Sequence, residues 1–553
     1  MRIRFIVFLL LVFVSLPAVY KLLRPGYYSM YDDMQVVRLQ QMDECINDGQ
    51  IPCRWVPDLG LGYGYPLFIY YAPLPYYFME GIHLIGFSFI NSVKIGFAAS
   101  VVLSALFFYL LLKYFFSKKA ALFATFFYVF APLRAAGIYV RGAMGEVWGL
   151  ASVPLLFWSL EYLLSKKTIR SGVLLSFSLA AFLVTHNLTV LMFLPLFLLW
   201  VVLRLYQTKP NKKFVLHSLF FISLGIGLSS FFVIPLIREH NLVHLETLTS
   251  GYFGYLQHFL NLKQLFLSLK WGYGPSILGT GDNALLGIGP IHSFLAISGF
   301  LLVFYKHRNA KKLMIPILLI LIFFVSAFLT HERSTFIWKI LKLDIMQFPW
   351  RFVGVSVFVS SFLAGFLLEN LSKKIVNYIS IFMVVLTLAL YLPFFQPRDW
   401  FNITDSEKLS GENLKKQLTA SIYDYLPKSA KRAPDDFPVS NLIPIDGQIV
   451  INVEKSGSNW FYYDLDVISN NASVAIPTYD FPSWSIAVNN KKVDYVRYGD
   501  FGQPGFILQG GRNQIYAKLV KTWDRKLGDG LTIFSLGAIA TLFLYEKSIK
   551  KYI

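Results

Sequence analysis

KKTIRSGVLLSFSLAAFLVTHNLTVLMFLPLFLLWVVLRLYQTKPNKK, residues 166–213, is the stretch that decides the fold. Basic residues close both ends, and two apolar runs, 169–186 and 188–206, meet at His186-Asn187. About 20 apolar residues wound as a helix cross the hydrocarbon of a bilayer. The stretch therefore reads as two spans that leave one membrane face, turn at His186 on the other, and return. Lys and Arg gather on the cytoplasmic side of such spans, which puts His186 outside.

The same grammar runs the length of the chain. Basic clusters sit at Arg2/Arg4, Lys118/Lys119, Lys166/Lys167/Arg170, Lys209/Lys212/Lys213, Lys306/Arg308/Lys311/Lys312, Lys373/Lys374 and Lys547/Lys550/Lys551. Between neighbouring clusters the apolar sequence suffices for an even number of crossings. Twelve spans are expected, at 5–23, 91–114, 119–139, 146–164, 169–186, 188–206, 214–236, 285–305, 313–330, 352–370, 375–395 and 529–546. Every cluster then falls inside, and so do both termini. The first span has some features of a signal peptide, but Lys21 and Arg24 follow it in place of a clean mature start, so a retained anchor is expected. Composition agrees: mean hydropathy is +0.53 and 15% of residues are charged, against about 25% for soluble domains. The net charge of +19 lies in short loops beside apolar runs. That placement excludes nucleic acid as the partner and points to anionic headgroups of the bilayer.

Four segments are left outside: 24–90, 134–146, 237–284 and 396–528. The last reads as β, with strand signals at Gly447–Val453, Asn459–Val467, Ser473–Pro477 and Gln514–Leu519, the final one after a Gly510-Gly-Arg-Asn513 turn. A small β-sandwich-like domain before the last helix is expected. The chain thus divides into a membrane domain (1–395), a β-rich exterior domain (396–528) and a terminal helix with its tail (529–553). Cys45 and Cys53, both in the first exterior loop, are either a disulfide across the Asp48-Gly49 turn or two unpaired thiols.

Chemistry concentrates at the exterior rim. Asp32-Asp33 stand just beyond the first span, ahead of Val36, Leu39, Met42 and Ile46 at helical spacing. Asp32 could simply cap that helix. A carboxylate at this interface is also placed to take a proton from a hydroxyl attacking a lipid-linked donor. Arg141 and Arg351 suit a donor phosphate, since a guanidinium fork matches phosphate oxygens, and His186 can donate to the same group. Glu146 either pairs with Arg141, caps its helix, or serves as a second acid or metal ligand. A divalent metal is possible but nothing in the sequence requires a cofactor. His240 and His244 share i, i+4 spacing without a fixed third ligand. Arg38, Trp55, Tyr63, Tyr65, Tyr71, Trp271 and Tyr273 are the expected substrate platform, because tyrosine and tryptophan rings give sugars an apolar floor with a polar rim. A membrane-surface aromatic belt is the plainer reading of the same rings.

The order Asp32-Asp33…Arg38, Pro52-Cys-Arg-Trp-Val-Pro-Asp58, Gly62-Tyr-Gly-Tyr-Pro66, Tyr71-Ala-Pro-Leu-Pro-Tyr-Tyr77 and Arg141-Gly-Ala-Met-Gly-Glu146 resembles a bacterial multi-pass family labelled 6-pyruvoyl-tetrahydropterin-synthase-related. Trp271-Gly-Tyr-Gly274 and Gln347-Phe-Pro-Trp-Arg351 extend the likeness. Phe481-Pro-Ser-Trp484 resembles the exterior β-domain of bacterial membrane glycosyltransferases. That family is in turn similar to the GT-C superfamily. The resemblance implies an α-helical polytopic membrane protein that takes a sugar from a polyprenyl-phosphate donor on the outer face and passes it to an extracytoplasmic glycan or lipid acceptor. It also implies an acidic residue of the first exterior loop, Asp32 or Asp33, as the base. Where the family carries a histidine before the acidic pair, this chain has Tyr31. The alternatives are a transporter or flippase of lipid-linked precursors, and a non-enzymatic envelope scaffold. Transporters favour ionisable groups at mid-membrane and duplicated halves, whereas here such groups collect at the rims.

Overall fold

The computed structural model describes residues 2–278 and 286–549. Positions 279–284 of the third segment expected outside, position 285 at the expected start of a span, and Lys550/Lys551 with the rest of the tail lie outside the described residues. Each of the twelve apolar intervals folds as helix, but not all alike. Among the described residues nine helices are long and apolar enough to cross a membrane: Ile6–Leu23, Phe89–Leu112, Met144–Lys166, Asn187–Thr208, Lys212–Arg238, Ala310–Leu329, Pro349–Asn370, Val376–Phe394 and Trp523–Leu544. The chain is a multi-pass membrane protein.

The other three intervals depart from simple spans for local reasons. Ile169–Leu183 and Pro290–Lys306 hold 15 and 17 residues, or roughly 22 and 26 Å at 1.5 Å per residue, short of a hydrocarbon core near 30 Å. The third interval breaks into Lys118–Val129 and Pro132–Val140, bent by 47°. Pro132 has no N–H for the carbonyl of Tyr128 four residues back. Arg134 supplies the missing donor, its Nε 2.7 Å from that oxygen. Expected at a loop rim, Arg134 is instead fully buried in the break.

Within residues 166–213 the chain punctuates itself. Lys167 and Lys209 end their helices in the left-handed conformation, and Thr168, His186 and Asn211 cap the next ones through side-chain acceptors. His186 thus starts a helix rather than ending a span.

The β-rich domain forms one seven-stranded antiparallel sheet. Two long strands, Trp460–Ala475 and Gln503–Leu519, run through its centre. Two strands read separately from sequence are one strand here, and the Gly510-Gly511 turn is a register shift inside the other, opposite residues 467–471. Residues 460–467 pair with Ile449–Gly457 and residues 473–475 with Ile443–Asp446, so the long strands carry different neighbours on the two sides of the shift. The domain docks on the loop that follows the first span, residues 24–90. Trp55 packs on Phe481 and Trp484 at 5.6 and 6.0 Å between ring centroids, and Tyr63 on Tyr479 and Phe501. Gly64 permits this: at φ +77° it lies under the Trp55 indole, where a Cβ would sit 2.4 Å from Nε1.

Candidate functional site

The first loop returns to the bundle through backbone pairing. Tyr31 and Asp32 donate their N–H groups to the carbonyls of Val140 and Arg141, at 3.0 and 2.9 Å. This brings Asp32 beside the rim segment that carries Arg141 and Glu146. The following helix, Gln35–Asn47, is capped at Met34 with no side-chain bond, so Asp32 is not its cap. Its Oδ2 instead accepts from Arg38 Nη1 and Gln35 Nε2, each at 2.9 Å. Oδ1 has no hydrogen-bond partner among the described residues. Arg38 is buried beneath Tyr71, its guanidinium 4.5 Å from the ring centre.

Asp32 opens on a cavity of about 770 Å³. In the lining of the same cavity, Glu146 stands between two guanidinium groups. Arg141 binds it through both terminal nitrogens, and Arg351 Nε lies 2.8 Å away. Arg351 Nη1 is fixed by the Met346 carbonyl at 2.6 Å and Gln347 Oε1 at 2.7 Å. Arg141 stacks over Trp350 at 4.3 Å. Glu146 is thereby an ion-pair partner, the simplest of the roles expected for it. His186 lines the same wall, with Gly145 leaving room for its ring. Its Nδ1 accepts the Thr189 N–H as helix cap, which leaves Nε2 to carry the proton of the neutral ring.

A second wall is apolar. It is formed by Leu188 and Leu191 from one helix and by Val233, Leu236 and Ile237 from the next. Leu191 and Ile237 are 52% and 62% exposed, so this side of the cavity opens to whatever surrounds the bundle. A third wall comes from Ser421, Asp424 and Tyr425, in the part of the β-rich domain that precedes its sheet. Burial pushes the Asp424 carboxyl up to about 6.

Four helices place this cavity along their axes. Glu146 and Arg351 stand near the starts of helices that end at Lys166 and before Lys373. His186 caps a helix that ends before Lys209, and the helix that starts at Lys212 reaches the cavity at Ile237. The cavity thus lies at the helix ends opposite the basic clusters.

Asp33, the other acid of the pair, turns away. Its Oδ2 is 2.7 Å from Lys408 Nζ, and burial raises its carboxyl against the pull of that lysine. Trp55, Tyr63 and Tyr65 are at most 5% exposed. For these three the platform expectation is corrected: their rings are covered by the β-rich domain or locked to it, as when Tyr65 Oη accepts from the Tyr425 N–H at 2.5 Å. Trp271 stacks on Phe394 at 4.7 Å. Tyr273 bonds the Gln396 carbonyl and accepts from Tyr31 Oη through its own carbonyl, strapping the cavity edge beside Gly272 and Gly274. Cys45 and Cys53 form a disulfide with Cα atoms 5.5 Å apart. Among the described residues no group of three or more His, Cys, Asp or Glu side chains is arranged to hold a metal; His244 pairs with Glu246.

Asp424 and Tyr425 went unread in the sequence. The signal was an acid flanked by tyrosines in Tyr423-Asp-Tyr425 ahead of Pro427, an apolar setting for a charge.

No family model matches the chain, so the 6-pyruvoyl-tetrahydropterin-synthase-related likeness remains one of motifs. A curated relative, an uncharacterized protein of Lactococcus lactis subsp. cremoris (strain MG1363), is 23% identical over 241 residues, covering 42% of this chain and 39% of that protein. Solved structures with partial likeness include the arabinofuranosyltransferase AftD from Mycobacteria (12% identity, TM-score 0.44, 72% of this chain and 27% of that one). The oligosaccharyltransferase AglB from Archaeoglobus fulgidus, solved with an inhibitory peptide and a dolichol-phosphate, gives 13%, 0.43, 70% and 54%. ArnT from Cupriavidus metallidurans, solved with undecaprenyl phosphate, gives 16%, 0.40, 69% and 62%. The chain spans about two fifths of the curated relative it matches and less than two thirds of each of these structures.

Proposed function

We propose that this protein is a membrane glycosyltransferase of the GT-C kind. It moves a sugar from a polyprenyl-phosphate donor to an extracytoplasmic glycan or lipid acceptor. One observation carries the reading: a single cavity joins a cationic pole, an apolar wall open to the surroundings of the bundle, and a carboxylate with one oxygen uncommitted. Arg141 and Arg351 against Glu146 leave one net positive charge, which matches the single negative charge of a phosphodiester. The apolar wall beside it suits the first units of an isoprenoid chain.

Each residue then has a part. Arg141 and Arg351 hold the phosphate and compensate the second negative charge it gains as the sugar–oxygen bond breaks. His186 Nε2 donates a hydrogen bond to the same leaving group. Asp32, oriented by Arg38 and Gln35, takes the acceptor hydroxyl proton on Oδ1. Asp33, paired with Lys408, is a structural acid. The positive-inside rule puts the basic clusters in the cytoplasm, both termini with them, and the cavity outside; the disulfide suits that compartment.

Binding of undecaprenyl phosphate to the full chain in lipid nanodiscs tests the reading. Charge-assisted bonds are worth about 1.5–3 kcal/mol each, so Arg351→Ala should weaken binding by at least roughly tenfold. Wild-type protein with no affinity for this lipid, or an unchanged affinity in Arg351→Ala, overturns it.

A further inference from the structure

The cavity has a second charged pole, the reverse of the first. Asp32, Arg38 and Asp424 sum to one net negative charge, against the one positive charge of Arg141, Glu146 and Arg351. Asp424 is the unusual member. It makes no ion pair among the described residues, although it lines the cavity and is half-buried there. Besides a side-chain hydrogen bond with Ser421, Arg38 is the charge that compensates it, yet the Arg38 terminal nitrogens are committed to Asp32 and to Met34 Sδ. Its Nε is buried without a partner. A carboxylate kept in such surroundings costs stability unless something else uses it.

Its support is elaborate for a loop residue. The Tyr425 N–H donates to Tyr65 Oη, and Tyr65 Oη donates to the Ser421 carbonyl at 3.1 Å. Tyr425 stacks on Tyr70 at 5.5 Å. The next residue, Leu426, accepts the His244 N–H at 2.9 Å. Beyond it, Ser429 Oγ donates to the Asp480 carbonyl and the Lys431 N–H to the Asp500 carbonyl. The segment is therefore clamped between the first loop, the third exterior segment and the β-rich domain, with Asp424 delivered to the cavity wall.

We propose that Asp424 is an acceptor-binding residue: its carboxylate accepts a hydrogen bond from an acceptor hydroxyl and so sets the attacking oxygen beside Asp32. The inference rests on the transfer reading above. The donor's phosphate and isoprenoid belong with the opposite pole and the apolar wall. A ligand that reaches Asp424 comes from the exterior side, where the β-rich domain holds the segment. The net negative charge there repels a second phosphate and favours a polyhydroxylated glycan, whose neighbouring hydroxyls can donate to two carboxylates at once. The β-rich domain thus builds part of the acceptor site directly.

Two variants of the full chain, Asp424→Asn and Asp424→Glu, test this with two readouts. The first is undecaprenyl phosphate affinity in nanodiscs. The second is mass spectrometry of lipid-linked sugars and envelope polymers in cells whose own copy is replaced. The Asn variant should keep an affinity within twofold of wild type, accumulate lipid-linked sugar, and lose decoration by about tenfold or more. The Glu variant, which keeps the charge, should decorate better than Asn. The inference is overturned if Asn decorates like wild type, if Asn loses the lipid along with decoration, or if Glu is no better than Asn. Wild-type protein that does not bind undecaprenyl phosphate overturns the transfer reading itself, and this inference with it.

Discussion

Glu146→Gln is the most informative single change to the cationic pole. Glu146 accepts from both terminal nitrogens of Arg141 and from Arg351 Nε. Breaking a buried pair from one side costs about 3–5 kcal/mol, because the remaining charge is left uncompensated. Here two guanidinium groups would be left facing each other. The Glu146 and Arg141 side chains keep 17% and 18% exposure to the cavity, so water offsets part of the cost and about 2–3 kcal/mol is the reasoned loss. That is roughly a 30- to 150-fold shift in the unfolding equilibrium. Unfolding by SDS in mixed micelles, followed by tryptophan fluorescence, measures it. The pole would carry two net positive charges in the variant, so undecaprenyl phosphate should stabilise the variant more than wild type. A variant as stable as wild type would refute the account of the pole as a desolvated unit. A deficit that the lipid does not reduce would refute its assignment to phosphate.

Other predictions concern pH and orientation. Burial and the neighbouring Asp58 push the Glu44 carboxyl up to about 8, so the folded chain holds this proton where an unfolded chain, with an ordinary value near 4.5, has lost it. Stability from this group is complete below the ordinary value and is lost as pH rises through about 8. Glu44→Gln should flatten the decline between pH 5 and pH 8, and an unchanged slope would refute the assignment. The chain has two cysteines, bonded to each other, so an introduced cysteine is its single free thiol. Cysteine at exposed Tyr31 should react with an impermeant maleimide from outside intact cells, and cysteine at Lys209 only after permeabilisation. The reverse pattern would invert the topology.

Much of the architecture was legible because charge beside an apolar run is costly to misplace. The lysines that close residues 166–213 sit at helix ends in the structure, and the rim acids and arginines converge for the same reason. Asp32, Arg38, Tyr71, Arg141, Glu146, His186 and Arg351 all reach one cavity. What the sequence left unread depended on distant partners. Pro132 gave no sign that Arg134 would fill the break it makes. Fifteen residues of Ile169–Leu183 looked like a full span because Val184 and Thr185 extend the apolar run, and only His186 taking the cap of the next helix ends it early. A tyrosine's sequence position does not say whether its face is covered, so Tyr63 and Tyr65 looked like Tyr71. Gly510-Gly511 carries a turn composition, yet the pairing of Gln503–Leu519 with Trp460–Ala475 continues past it. Asp32 and Asp33 are adjacent and chemically alike, and what separates them is the partner of each, Arg38 for the first and the distant Lys408 for the second.

That separation gives the most direct test. Lipid-linked sugars and envelope polymers are to be profiled in cells whose sole copy carries Asp32→Asn or Asp33→Asn. A general base contributes about 10²–10⁴-fold. Asp32→Asn should therefore accumulate the lipid-linked sugar and leave its envelope polymer undecorated, while Asp33→Asn decorates within a few fold of wild type. Normal profiles in Asp32→Asn, or the same loss in both variants, would contradict the account.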